Sequence, residues 1–402
     1  MMTATHTNPA STSATDPYSA EVLESPYEFH AKLRETPALF LDKYGVYAFG
    51  RDAEVRHILE DWHTFISGAG VGPVNLQTHP PTWWKPGILE VDPPIHTRMR
   101  EAMTDVISPR KLRPLRAGFV EVAKQLIDEH VAAGDTVDIA SLAKQFTLRV
   151  FGDAVGIPRE GRDPNLVLQG AMNFSRFGPE NEIARHHLDA ADGVLDWVME
   201  ACDRENLDGS GLGAQIWQHA DAGAISADEA RLLVRALLSA GLDTTIFALT
   251  NTLVALSDAP EQYSKIRENP RLIKFAVDES LRYDTPFQSF YRTAATDTEV
   301  GGVRIAGGEK VLIFPASANR DFEKWGETAA EFDIDRDASG HLTFGMGIHQ
   351  CVGQPISRME IDAFLSEFVN RVAKFEPAER PTPFIHTTLK SYTSTPMHVD
   401  LV

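Results

Sequence analysis

Apolar residues along this chain recur mostly at helical spacing. Positions three and four apart line up over Tyr27–Glu35, Arg98–Ile107, Phe119–Ala133, Leu142–Val155, Ala184–Cys202, Ala227–Ser257, Pro260–Glu268, Leu272–Arg282 and Pro355–Val372, and each predicts a helix. The Ala227–Ser257 segment is apolar on nearly every face, as a helix crossing a large core would be. Ser226 followed by Glu229 marks its start with the pattern of a capping box. Short runs of strand character are fewer: Leu39–Leu41, Val46–Phe49, Tyr291–Ala294, Thr298–Val300, Val303–Ile305, Lys310–Phe314 and Met397–Leu401. Gly301-Gly302 and Gly307-Gly308 predict turns between some of them. The expected fold is mainly α with a small β region, one domain over residues 17–402. It is preceded by a Thr/Ser/Ala-rich tail, residues 1–16, that has no periodicity and is expected to be disordered.

Composition narrows the function classes. With 402 residues, 43% of them hydrophobic, the chain can bury a large core. A net charge of −19 opposes binding to nucleic acid phosphates or to an anionic membrane surface. The one segment resembling a membrane span, Leu232–Ser257, carries Arg235 and Asp243. Each costs about 2.5–3.5 kcal/mol at a bilayer centre, so a buried soluble helix is expected. The first residues lack the basic and apolar regions of a signal peptide. Two cysteines, Cys202 and Cys351, offer no disulfide framework and fit a reducing cytoplasm.

The chemistry concentrates around Cys351. It lies in the run Phe344-Gly345-Met346-Gly347-Ile348-His349-Gln350-Cys351-Val352-Gly353, whose glycines permit positive φ or close backbone approach. Backbone N–H groups in such a turn stabilise a thiolate without supplying a competing proton, the environment an iron–thiolate bond requires. A zinc site would need further ligands that the sequence does not pair with His349 and Cys351, and a buried structural cysteine would not account for the glycines.

Three more groupings stand in order before it. Glu279 and Arg282 share one helix face and are either an ordinary ion pair or part of a network under the cysteine loop, together with Arg320. Ala240-Gly241-Leu242-Asp243-Thr244-Thr245 places a glycine, an acid and an alcohol mid-helix, where local loosening is expected. Close helix packing would explain the small residues; an acid followed by an alcohol suits proton relay to a bound dioxygen. His96 and Arg100 are one turn apart and suited to the propionates of a haem, with Arg292 and His341 as candidates from the other side; alone, each reads as a solvated surface charge.

Taken together these motifs resemble the cytochrome P-450 superfamily over nearly the whole chain. The resemblance implies the triangular, mainly helical haem-monooxygenase fold and haem b with Cys351 as axial thiolate. It further implies Phe344, Gly345 and His349 against the cofactor, and Asp243 with Thr244 in activation of O2. Electrons would come from NAD(P)H through an iron–sulfur ferredoxin or a fused ferredoxin–flavin reductase. Its docking face would be the basic stretch Arg98, Arg100, Arg110, Lys111, Arg113 and Arg116, which contrasts with the acidic remainder.

Within the superfamily the chain is most similar to bacterial enzymes acting on para-substituted benzoic acids. The shared stretches are Ile88–Glu90, Phe174–Glu182, Arg235–Thr245 and Phe287–Arg292. The resemblance implies aromatic walls from Phe174, Phe177 and Phe290, with Leu89, Phe287, Ala236, Ser239 and Ala240 lining the rest. Those enzymes hold the substrate carboxylate with serines aligned to Pro86 and Ala236 and an arginine aligned to Trp83. Here those donors are absent, and only Lys85 and Ser239 remain as substitutes. Burying a carboxylate without donors is expensive. The expected substrate is therefore a neutral lignin-type methyl ether, a 4-alkylguaiacol demethylated to a catechol and formaldehyde. Para-substituted benzoates such as 4-methoxybenzoate are the first alternative, a terpene or fatty acid the second. A peroxide-driven peroxygenase and a non-catalytic haem sensor also remain open.

Overall fold

The computed structural model describes residues 11–81, 84–131 and 136–402. Helices dominate, as the periodicity implies. Tyr27–Glu35 and Pro260–Glu268 form as expected, while Ile95–Val106, Arg116–His130, Ile139–Val155, Ile273–Tyr283 and Gln354–Arg371 differ by a few residues at their ends. Asp138 extends one of them by accepting from Ser141 N. Ala133, the expected end of another, lies outside the described residues.

The expected Ala184–Cys202 helix is two helices, Glu182–Ala190 and Val194–Ala201. Gly193 between them takes φ +74°, which only glycine adopts without strain. The central segment forms Ala227–Gly241 and Asp243–Ser257, with its capping box in place and an interruption at Leu242 (φ −86°, ψ −73°). This is the loosening expected of Gly241, whose bare Cα faces the Phe151 ring. The segment has the length and apolarity of a membrane span, but 78% of its most apolar window is buried inside the fold.

Three longer helices were not anticipated: Asp52–Glu60, Arg162–Ser175 and Leu212–Asp221. Arg162–Ser175 contains Pro164 and Gly170, residue types that interrupt a helical pattern. Pro164 sits in the first turn, where a missing N–H costs little. Gly170 is small because the Asp243 carboxyl occupies the space a Cβ would take.

A six-stranded sheet takes the order Ser11–Ser13, Leu39–Leu41, Val46–Phe49, Lys310–Ile313, Phe290–Ala294, Phe65–Ile66. Its edge corrects the expectation of a disordered start: Ser11–Ser13 pairs in parallel with Leu39–Leu41, and Ser19 caps a short helix, Ala20–Glu24. Residues 1–10 lie outside the described residues. Gly301 and Gly302, at φ +56° and +80°, close the hairpin between Thr298–Val300 and Val303–Ile305. One core joins the helices, and others lie against the sheet.

Candidate functional site

The cysteine loop hangs from a buried polar network. Glu279 and Arg282, on the inner face of Ile273–Tyr283, form a two-pronged ion pair with both N···O distances 2.7 Å and no exposed surface. Arg282 spends its remaining donors on the carbonyls of Asn319 (2.8 Å), Ala329 (2.7 Å) and Glu331 (3.0 Å). The Asn319 side chain then accepts from Leu342 N (2.6 Å) and donates to Thr343 Oγ1 (2.9 Å), directly before Phe344. The third member expected here, Arg320, points elsewhere. It donates to the Tyr283 carbonyl and lies 4.0 Å from the Tyr27 ring. Arg336 takes the place beside Glu279 at 3.3 Å.

Within the loop, Gly345 and Gly347 take φ +65° and +70°, and a Cβ on Gly347 would run into the Leu59 carbonyl. Gly353 has ordinary helical φ (−75°) and serves differently, by presenting its N–H to the Cys351 sulfur. Cys351 N donates to Phe344 O at 2.7 Å, closing the turn. Cys351 is exposed by area. The enclosing protein still pushes its thiol above the usual value, with the N–H groups of Gly353 and Gln354 and the charge of Arg100 pulling the other way. Binding a metal ion deprotonates such a thiol outright. Among the described residues no group of three His, Cys, Asp or Glu side chains is placed to hold a metal. A metal at Cys351 must therefore bring most of its own ligands.

Beside Cys351 lies a cradle of incompletely satisfied donors. The His96 and His349 rings are 4.2 Å apart; His96 Nε2 is buried with no hydrogen-bond partner, and His349 Nε2 is buried 3.9 Å from Asp92, beyond hydrogen-bond distance. Desolvation, with His349 and Arg100 nearby, pushes His96 down to about 4. Arg100 reaches the Gln350 carbonyl. Arg292, buried and lowered to about 10 by desolvation, caps the Phe290 ring at 4.8 Å and donates to the Tyr291 carbonyl. His341 stands at the loop's other shoulder, 3.7 Å from Asp278, with its ring 5.5 Å from Phe344. Orphaned donors and guanidinium groups around one exposed thiol fit a flat metal complex carrying carboxylates, as a haem does.

On the helix above, Thr244 Oγ1 donates to the Ala240 carbonyl at 2.6 Å, the back-bonding that loosens a helix. Asp243 is buried against Gly170, and desolvation raises its carboxyl to about 7. The wall residues also come together: Phe174, Phe177, Phe287 and Phe290 form a contiguous group with ring centroids 5.2–5.8 Å apart. Leu89 is exposed, and Ala236 and Ala240 are half-buried.

The two substitute donors are not available for a carboxylate. Ser239 Oγ donates to the Arg235 carbonyl and accepts from Gln169, both at 2.8 Å. Lys85 is exposed and paired with Asp228. Trp83 lies outside the described residues. The sequence reading singled out neither Arg176, whose Nη1 is buried without a hydrogen-bond partner, nor Glu90, which is buried and accepts from Gly87 N at 3.1 Å. In the basic stretch, Arg98, Lys111 and Arg116 are neutralised by Glu229, Asp105 and Asp362. Arg110 and Arg113 are exposed and have no ion pair among the described residues.

Known proteins resemble this chain along most of its length. The family model for Cytochrome P450 matches residues 180–397. The chain is 40% identical to "Cytochrome p450 CYP199A2" of Rhodopseudomonas palustris, over 96% of this chain and 93% of that protein. It is 32% identical to the 20-oxo-5-O-mycaminosyltylactone 23-monooxygenase of Streptomyces fradiae, over 89% and 84%. Among solved structures, cytochrome P450 CREJ in complex with (4-ethylphenyl) dihydrogen phosphate superposes with a TM-score of 0.86 at 25% identity, covering 96% of this chain and 99% of that one. CYP109Q5 from Chondromyces apiculatus gives 0.80 at 27% identity, covering 96% and 98%.

Proposed function

The chain belongs to the cytochrome P450 family, and from that premise we propose that it O-demethylates a small lignin-derived aromatic methyl ether. Members of this family are monooxygenases that use haem with a cysteine thiolate, O2 and electrons from a redox partner. In this chain Cys351 would hold the iron and His96, Arg100, Arg292, His341 and His349 the edge of the porphyrin, with Phe344 and Gly345 shaping the turn. The bound haem supplies activation of O2.

The observation that carries the substrate reading is the four-phenylalanine group. Phe174, Phe177, Phe287 and Phe290 form a wall suited to one flat ring, and the CREJ complex shows a one-ring ligand in a protein of the same fold. Confining the ring would limit which of its carbons can reach the reacting centre, and so would favour attack at the methoxy carbon over attack on the ring. Asp243 and Thr244 would hold and pass protons. The balance is ArOCH3 + O2 + 2e⁻ + 2H⁺ giving ArOCH2OH and water, after which the hemiacetal loses formaldehyde to leave the phenol. The missing hydroxyls at Pro86 and Ala236 favour a neutral 4-alkylguaiacol, with a catechol as product. With a suitable reductase, formaldehyde is expected in a 1:1 ratio to demethylated product from 4-propylguaiacol or 4-methoxybenzoate. Products that retain the methoxy group would overturn the assignment.

For electron delivery the reading is an acidic iron–sulfur ferredoxin, free or fused to a flavin reductase, approaching near Arg100, Arg110, Lys111, Arg113 and Arg116. Of these, Arg100, Arg110 and Arg113 have no ion pair among the described residues, and Arg110 and Arg113 are the exposed ones. Reversing both to glutamate is expected to slow reduction by about tenfold at low salt without changing substrate binding. Unchanged reduction kinetics would remove this face from consideration.

A further inference from the structure

We infer that His386 is a positioning residue for the aromatic ring: it fixes the turn that spaces Phe174 and Phe177, on one half of the wall, from Phe287 and Phe290 on the other. This rests on the reading of that wall as the substrate site and deepens it.

His386 opens the turn between two paired strands, Thr382–Ile385 and Lys390–Ser394. It has no exposed surface. Its Nδ1 accepts from Thr388 N at 3.1 Å and Leu389 N at 3.2 Å, so the ring proton sits on Nε2. Nε2 lies 3.0 Å from the Ala171 carbonyl and 3.0 Å from Ser175 Oγ, both on Arg162–Ser175, the helix that carries Phe174. Ser175 Oγ donates its own proton to the Ala171 carbonyl at 2.9 Å, which leaves it free to accept from the ring. Burial pushes the imidazole down to about 3, so it keeps this neutral, two-sided form.

The rest of the turn touches both halves of the wall. On one side Thr388 Oγ1 donates to the Phe174 carbonyl at 2.9 Å. Gly178, next to Phe177, packs so closely on Thr387 that an added Cβ would come within 2.7 Å of the threonine Cβ. On the other side Gln288 N donates to Thr388 O and Lys390 N to Pro286 O, both at 2.8 Å, and Leu389 pairs with Phe287. His187, on Glu182–Ala190, donates to the Ile385 carbonyl at 3.1 Å and ties a second helix to the same hairpin. A buried histidine can be satisfied within one element. Here the two ring nitrogens bind different elements, and so hold them at a set distance.

Substitution can separate the two nitrogens. Asparagine places its oxygen near Nδ1 and keeps the turn, but cannot reach Ala171; glutamine places its amide near Nε2 and keeps the tie to the helix. Soret titrations of the holoenzyme with imidazole and 4-phenylimidazole, whose ring nitrogen ligates haem iron, read the consequence. Imidazole reports access to the iron, and the added phenyl reports the wall. The wild type is expected to prefer 4-phenylimidazole. His386→Asn should lose at least about tenfold of that preference with imidazole affinity within about twofold, and His386→Gln should keep most of it. No preference in the wild type, an unchanged preference in His386→Asn, equal losses for both ligands, or a His386→Gln loss as large as that of His386→Asn would overturn the inference. If His386→Asn does not fold, Gly178→Ala decides: a selective loss of 4-phenylimidazole supports the spacing role and an unchanged preference refutes it. Absence of formaldehyde from every methyl ether would remove the substrate reading alone, because these titrations do not depend on turnover.

Discussion

Arg282→Ala is expected to destabilise the protein by roughly 3–5 kcal/mol and to leave little of it able to retain haem, because it strands Glu279 as an unpaired buried charge. Both partners have no exposed surface, and Arg282 also satisfies three carbonyls. The damage should travel along a defined line. Asn319 receives Arg282 through its carbonyl and holds Leu342 and Thr343 through its side chain, so the turn before Phe344 loses its support. Arg282→Lys should also fail, since one ammonium cannot replace five donors in a planar fork. Urea unfolding and haem content after purification measure both effects. A loss under about 1 kcal/mol would mean that the pair is only a tolerated ion pair and not the support of the loop.

Asp243→Asn is expected to lower the rate of product formation by about 10²–10⁴-fold while substrate binding stays intact. The carboxyl is buried beside Gly170, with Lys144 as the charge that acts on it, and desolvation raises it to about 7. It therefore exchanges protons near neutral pH, as a relay group must. The sign of the linked stability follows. Between about pH 4 and 7 the folded protein keeps a proton that the unfolded chain has released, so the stability from this group falls as pH rises through that window. The amide of the variant does not titrate there, so Asp243→Asn should flatten this slope. A variant that keeps both wild-type turnover and the wild-type pH slope would take Asp243 out of the proton path.

The most legible parts of the chain were those where local pattern and global role coincide. The capping box at Ser226 marked the start of the central helix, and Gly241 its loosening at Leu242. The order of Ala240–Thr245, Glu279–Arg282 and the cysteine loop carried the resemblance to the family that the comparisons show. Other features depended on contacts distant in sequence. The need for glycine at Gly170 comes from Asp243, whose carboxyl fills the space beside it. Ser11–Ser13 has no strand signature of its own and forms because Leu39–Leu41 offers an edge. Arg320 sat near the right elements but found the Tyr27 and Tyr283 rings, leaving Arg336 to reach Glu279.

Every step proposed above depends on Cys351 binding haem iron through its sulfur. Reducing the purified protein and adding carbon monoxide tests this directly. Thiolate ligation predicts a Soret band near roughly 450 nm, lost in Cys351→Ser. A band near roughly 420 nm from the freshly prepared wild type, or a band near roughly 450 nm that survives Cys351→Ser, would contradict it.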